Sequence, residues 1–123
     1  MDRSPRSPDT LSPPAASRFR ATVHGLAFAG RDRRLRDVEP GDVLLLIPDP
    51  ADATVEQVWV HLEGGAPLGH LPDEIGRWLA PWMRTGNAAS VRAVRVGDET
   101  VPSWKRLVVE VDCRREGGEN RIG

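Results

Sequence analysis

Helical apolar periodicity occurs once in this chain. Ile75, Trp78, Leu79, Trp82 and Met83 fall at i, i+3, i+4, i+7 and i+8, which lines one face of a helix. Every other apolar stretch is short, and most alternate with polar residues, so the rest of the core has to come from strands. Pro72 suits the helix start, Asp73 and Glu74 its positive N-terminal end, Arg84 its C-terminal end, and Gly86 a stop. Pro81 lies inside the pattern and is expected to kink the helix or split it into two turns.

Around this helix the spacing predicts strands. Residues 19–28 alternate, with Phe19, Ala21 and Val23 on one face and Arg20, Thr22 and His24 on the other; Gly25 and Gly30 bend or end the run. Residues 43–47 are continuously apolar and are expected to be buried on both faces or against a barrel interior. Residues 55–62 set Val58, Val60 and Leu62 against Gln57, Trp59 and His61, and Gly64-Gly65 turns the chain into a short strand over 66–71. Residues 88–96 and 104–112 supply two more strands. The expected fold is mostly β or α+β, a small barrel of about six strands with one or two helices.

The ends have a different composition. Residues 1–18 hold Pro5, Pro8, Pro13 and Pro14 among Ser4, Ser7, Ser12 and Ser17, with sparse apolar residues, and are expected to be disordered. The same expectation holds for 113–123, which leaves 19–112 as the working domain. That middle region carries 11 basic and 14 acidic residues, which argues against a protein that coats nucleic acid electrostatically. The densest basic run is Arg31, Arg33, Arg34 and Arg36, interrupted by Asp32. It reads either as a solvated connection between strands or as a local loop that contacts phosphate, a task for which arginine is geometrically suited.

Several chemistries are disfavoured. Cys113 is the single cysteine, which excludes an intrachain disulfide and any multi-cysteine metal site. His24, His61 and His70 lack zinc-site spacing, so no metal is expected. No nucleophile elbow, P-loop or dinucleotide fingerprint occurs, and neither enzymatic activity nor a cofactor is expected. No apolar run approaches the ~20 residues of a membrane helix. The N-terminal stretch has no apolar signal core, so the expected location is the cytoplasm.

One block of residues is more specific. Gly69-His70-Leu71-Pro72, followed by Ile75-Gly76-Arg77-Trp78-Leu79-Ala80-Pro81 and Gly86, resembles the signature of the HIRAN domain family. Val23-His24-Gly25-Leu26-Ala27-Phe28 resembles that family's first-strand motif. Gly41-Asp42-Val43-Leu44-Leu45-Leu46 followed by Asp49-Pro50, then Val58-Trp59-Val60, resemble its middle stretches, and residues 104–111 its closing strand. The resemblance spans residues 19–112. It implies a compact β-barrel related to the OB-fold, and binding of single-stranded DNA, notably at a 3′ end, as in family members attached to DNA-remodelling helicases.

Carried over by position, the resemblance puts Phe28 where an aromatic stacks on a base, and keeps the motif histidine as His70. It departs at Ala27, where arginine is typical. It departs again at Ala53 and Thr54, where an aromatic and the aspartate that binds the 3′-hydroxyl would stand. The candidate nucleic-acid-binding residues are therefore Phe28, Arg31, Arg33, Arg34 and His70, around a groove between the arginine run, the 48–54 loop and His70. Trp59 and His61 are candidate contacts for a partner. The expected function is a non-catalytic module that binds single-stranded DNA or DNA ends weakly, in DNA repair or replication-fork processing. The alternative is a protein-interaction or regulatory module, with the DNA-end site lost, that partners a separately encoded helicase or nuclease.

Overall fold

A computed structural model of the chain describes residues 16–114. The Pro/Ser-rich stretch before residue 16 and the residues after 114, both assigned to tails above, lie outside the described residues. The strands are β1 (Ala16–Thr22), β2 (Val43–Pro48), β3 (Val58–His61), β4 (Pro67–His70), β5 (Ala88–Val96) and β6 (Leu107–Arg114). One α-helix, α1 (Asp73–Arg84), follows β4, and 3-10 turns cover Phe28–Asp37 and Ser103–Lys105. The strands form one six-stranded sheet in the order β1-β6-β5-β2-β3-β4, with every pairing antiparallel. The fold is the small, mostly β, barrel-like one expected.

The sheet curls until its two edges meet. Just beyond β1, His24 forms an isolated bridge with His70 at the end of β4. Each residue donates its backbone N–H to the other's carbonyl, at 2.8 and 2.9 Å. This seam needs close backbone approach, and Gly69 supplies it. A β-carbon at position 69 would stand 2.2 Å from the His24 carbonyl oxygen and 2.8 Å from Val23.

Inside the curl lie Val23, Leu26, Leu44, Val58, Val60, Leu68, Val91, Val109 and Val111, all buried. Helix α1 buries Leu79, Ala80 and Trp82, and Trp78 meets Phe19 of β1 edge-on at a ring separation of 5.9 Å. Gly76 lets the helix backbone sit against Gln57 and Val58. The apolar stripe read from the sequence is thus the packing face. Helix burial on this scale makes Trp82 a site where truncation to alanine costs about 3–5 kcal/mol.

Four expectations are corrected. The first strand does not continue through 28: it stops at Thr22, and the chain reaches β4 through the His24 bridge before entering 3-10 turns at Phe28. Of the two alternatives given for strand β2, burial against the barrel interior holds at Leu44 and Leu46, and burial on both faces does not: Val43, Leu45 and Ile47 are 57%, 38% and 42% exposed. A continuous apolar run cannot reveal whether a second layer covers its outer face, and here none does among the described residues. Pro81 does not split the helix; α1 is continuous over Asp73–Arg84. The N–H that proline lacks would have bonded to the carbonyl of Arg77, on the exposed side, while Leu79, Ala80 and Trp82 hold the turn by burial. Lastly, the domain boundaries move outward. Ala16, Ser17 and Arg18 pair with β6, and Cys113, placed above at the start of the tail, is fully buried.

Two predictions follow from this packing. Gly69→Ala forces apart the seam, and should destabilise the protein by about 1–3 kcal/mol, read as a drop of roughly 5–20 °C in thermal midpoint; an unchanged midpoint would show that the seam yields freely. Burial, with Asp112 adding, pushes the Cys113 thiol up to about 11 from an ordinary 9.0. A thiol reagent at neutral pH should therefore modify the folded protein only as fast as it opens. The neutral thiol favours the folded state below pH 9, and this contribution should fade between pH 9 and about 11, visible as falling denaturant midpoints that Cys113→Ala does not share.

Candidate nucleic-acid interface

The 3-10 turns over Phe28–Asp37 decide where the arginine run points. With three residues per turn, positions i and i+3 eclipse one another. Phe28, Arg31 and Arg34 therefore share one side, Leu35 and Val38 anchor the segment in the core, and Arg33 and Arg36 turn elsewhere. Gly25, at φ +80°, makes the bend that leads from the seam into this segment. The Arg31 Nη1 donates to the Gly25 carbonyl at 3.2 Å, and the Arg34 Nη1 to the Pro67 carbonyl on β4 at 2.8 Å. The second bond lays the segment against β4, and the first ties it to the bend at Gly25.

On the outer face of β3 and β4, Trp59 stands opposite His70 in register. Their rings meet edge-on at 5.3 Å between centroids, and His70 stacks on His24 at 6.2 Å. Arg31 bridges this face to the 3-10 segment. Its guanidinium carbon lies 5.0 Å from the centre of the Phe28 ring and 5.1 Å from that of Trp59. Phe28 itself is 68% exposed. The result is a continuous patch of Phe28, Arg31, Trp59, His70 and His24 at the barrel seam.

Several bonds fix this patch. Asp49, in the loop after β2, accepts from the Trp59 indole Nε1 at 3.0 Å and from the Gln57 backbone N–H at 3.1 Å, which sets the indole's rotation. His70 Nδ1 lies 2.9 Å from the Leu71 carbonyl, so that nitrogen carries the proton and Nε2 is left as an acceptor in the neutral ring. His24 Nε2 pairs with the Thr22 hydroxyl at 3.0 Å. Among the described residues no carboxylate is within ion-pair distance of Arg31 or Arg34.

The fate of the sequence candidates is mixed. Phe28, Arg31 and His70 come together, and Trp59, read above as a partner contact, belongs to the same patch. Arg34 flanks it through Pro67. Arg33 leaves it. It lines a separate groove of about 340 Å³ with Asp32, Arg36, Asp98, Glu99 and Arg106, where Asp32 reaches Arg106 at 3.8 Å and charges of both signs alternate. There the Thr100 hydroxyl and N–H hold the Asp98 carboxyl below its ordinary value. His61 donates from Nδ1 to the Gly65 carbonyl at 2.9 Å within its hairpin and lies opposite Leu45 rather than His70. In the 48–54 loop, Ala53 closes a turn on Pro50 and Thr54 is exposed, while the carboxylate that reaches the patch is Asp49. Sequence reasoning missed His24, Asp49 and the joining role of Arg31. The Gly25–Phe28 spacing signals a bend, but nothing local says that it folds back onto Trp59. Among the described residues no group of three or more metal-ligating side chains gathers.

The chain matches no protein-family model, and no curated protein matches it in sequence. It is similar in fold to the crystal structure of a protein from Lactobacillus plantarum. The two align with a TM-score of 0.64 over 82% of this chain and 98% of the other, at 16% identity. At that identity the likeness is one of architecture: a small β domain of the same extent. No helix among the described residues is long and apolar enough to cross a membrane.

Because Phe28 is mostly exposed, its removal should barely affect the fold. Phe28→Ala should keep unfolding free energy within about 0.5 kcal/mol of the parent, in contrast to the large loss at Trp82, and chemical denaturation of both variants compares them directly.

Proposed function

We propose that this chain is a HIRAN-like, non-catalytic module that binds single-stranded nucleic acid at the Phe28–Arg31–Trp59–His70 patch. The observation that carries the reading is an exposed aromatic and a second, rotationally fixed aromatic joined by one arginine on the outer face of a curled β-sheet. Base stacking needs only a π-face, and Phe28 offers one. Arg31 and Arg34 supply positive charge beside the rings for phosphate, and contacts of that kind position a strand without reading its sequence. His70 Nε2 adds one polar group beside the rings. The HIRAN-like block and this patch support each other, because His70 of that block is the residue on which Trp59 and His24 meet. DNA repair and fork processing are the settings the resemblance suggests.

A titration of fluorescent single-stranded DNA at low salt tests the reading. Binding is expected to weaken with salt, with a log–log slope of about −1 to −2 for two phosphate contacts. Phe28→Ala should lower affinity by about 5- to 150-fold, the range for loss of one stacked base. Arg33→Ala, on the other groove, should leave it within about twofold, as expected of a surface side chain remote from the contact. No binding at tens of micromolar, or equal losses at Phe28 and Arg33, would overturn it.

A second reading is favoured by one specific observation. Val43, Leu45 and Ile47 form an exposed apolar row on the outer face of β2, and Asp37, Asp42 and Glu63 line the hollow beside Val43. Such a surface suits a protein segment with an apolar strip and a basic end, in keeping with a helicase or nuclease partner. Leu45→Glu should abolish that association and leave DNA binding at Phe28 unchanged.

A further inference from the structure

Arg31 occupies the place where the proposed site has most to offer a base. Its guanidinium covers a face of Phe28 and a face of Trp59 at nearly equal distance, 5.0 and 5.1 Å, and is tethered by a hydrogen bond to the Gly25 carbonyl. A guanidinium is planar and delocalised, and it stacks on aromatic rings as a nucleobase does. Trp59 is held in rotation by Asp49, and Phe28 is carried by a segment fastened through Arg34 to Pro67. Trp59 and the backbone that carries Phe28 are therefore set independently of Arg31. Both rings flank the Arg31 guanidinium, which fills the space beside each of them.

We propose that the space beside Phe28 and Trp59 is a nucleobase-binding site with Arg31 as its built-in occupant. A base enters by displacing the guanidinium, which then moves out to the phosphate of the same nucleotide. This inference rests on the nucleic-acid reading of the same patch. The exchange is inexpensive for three reasons. The contacts Arg31 gives up are weak ones at a partly exposed site. Its hydrogen bond to the neutral Gly25 carbonyl is replaced by one to an anionic phosphate. No carboxylate among the described residues holds it back. In the free protein the guanidinium thereby covers one face of each ring, and a ligand that carries both a base and a phosphate is favoured over one that carries a base alone.

The role predicts opposite effects of one substitution on two probes. 2′-Deoxyadenosine, which has no phosphate, competes with Arg31 and gains nothing from its release. Arg31→Ala should bind it about three- to tenfold more tightly than the parent, followed by NMR through the Trp59 indole N–H signal. With a short oligodeoxyadenylate the salt slope should become shallower by about 0.7, the share of one lost phosphate contact on a single strand. Arg31→Ser, with a thermal melt of each variant, guards against a folding defect. Nucleoside binding that is unchanged or weaker in both variants overturns the occupant role, and an unchanged salt slope overturns the transfer to phosphate. If the parent protein binds neither probe, the nucleic-acid reading itself fails, an outcome separate from either of these.

Discussion

The exchange of two backbone hydrogen bonds between His24 and His70 is the constraint on which the rest of this structure depends. It joins the last strand of the sheet to the continuation of the first, and so turns a curled sheet into a nearly closed barrel. It also fixes the path of the next stretch of chain. Once His24 is pinned to β4, the bend at Gly25 directs Phe28 and Arg31 onto the outer face of β3 and β4. The glycine at 69 is required because the backbone of His24 lies where a side chain would stand. A single steric fact therefore shapes both the seam and the patch.

The patch combines rigidity with loose fastening. Trp59 and His70 are held by hydrogen bonds to Asp49 and to the Leu71 carbonyl, on strands that face the core with Val58, Val60 and Leu68. Phe28 and Arg31 sit on 3-10 turns anchored in the core by Leu35 and, just beyond, by Val38. Rings fixed on strands give a ligand a prepared surface, which lowers the ordering cost of binding. A side chain on a short helical segment can exchange partners at small cost. That division suits the role we propose, in which stacking supplies affinity for a flexible strand and arginine supplies charge. The acidic balance of the domain confines the nucleic-acid binding we propose to this local patch.

The resemblance to HIRAN domains and the fold rest on different footings. The fold is shared with a Lactobacillus plantarum protein at an identity that speaks only for architecture. The motif Gly69-His70-Leu71-Pro72 has a physical reading of its own. Glycine permits the seam, histidine pairs across it and presents a ring, Leu71 is buried, and proline opens the helix. Each residue type answers a need of the barrel, and His70 alone of the four also serves the outer patch.

The sequence by itself determined the element types and most of their order. The 3.6-residue stripe from Ile75 to Met83 could only be a helix packed by one face, and the alternation around Val58, Val60, Leu107, Val109 and Val111 could only be half-buried strands. Phe28 and His70 stood out through the resemblance to HIRAN domains and not through a local pattern, since an aromatic after a bend or a histidine beside a strand glycine is by itself ordinary in a β domain. What local pattern could not carry was pairing. Main-chain bonds to β6 extend β1 back to Ala16 and draw Cys113 into the core, although the composition there resembles a tail. The outer face of β2 is exposed because no other element among the described residues covers it, which no run of Val, Leu and Ile can announce. The sorting of the arginines was likewise a tertiary outcome. A period of three instead of 3.6, set by anchoring Leu35 and Val38, sends Arg31 to the aromatic patch and Arg33 away from it. The meeting of Phe28 with Trp59 through Arg31 joins residues far apart in the chain, and only the closure of the sheet brings them within reach.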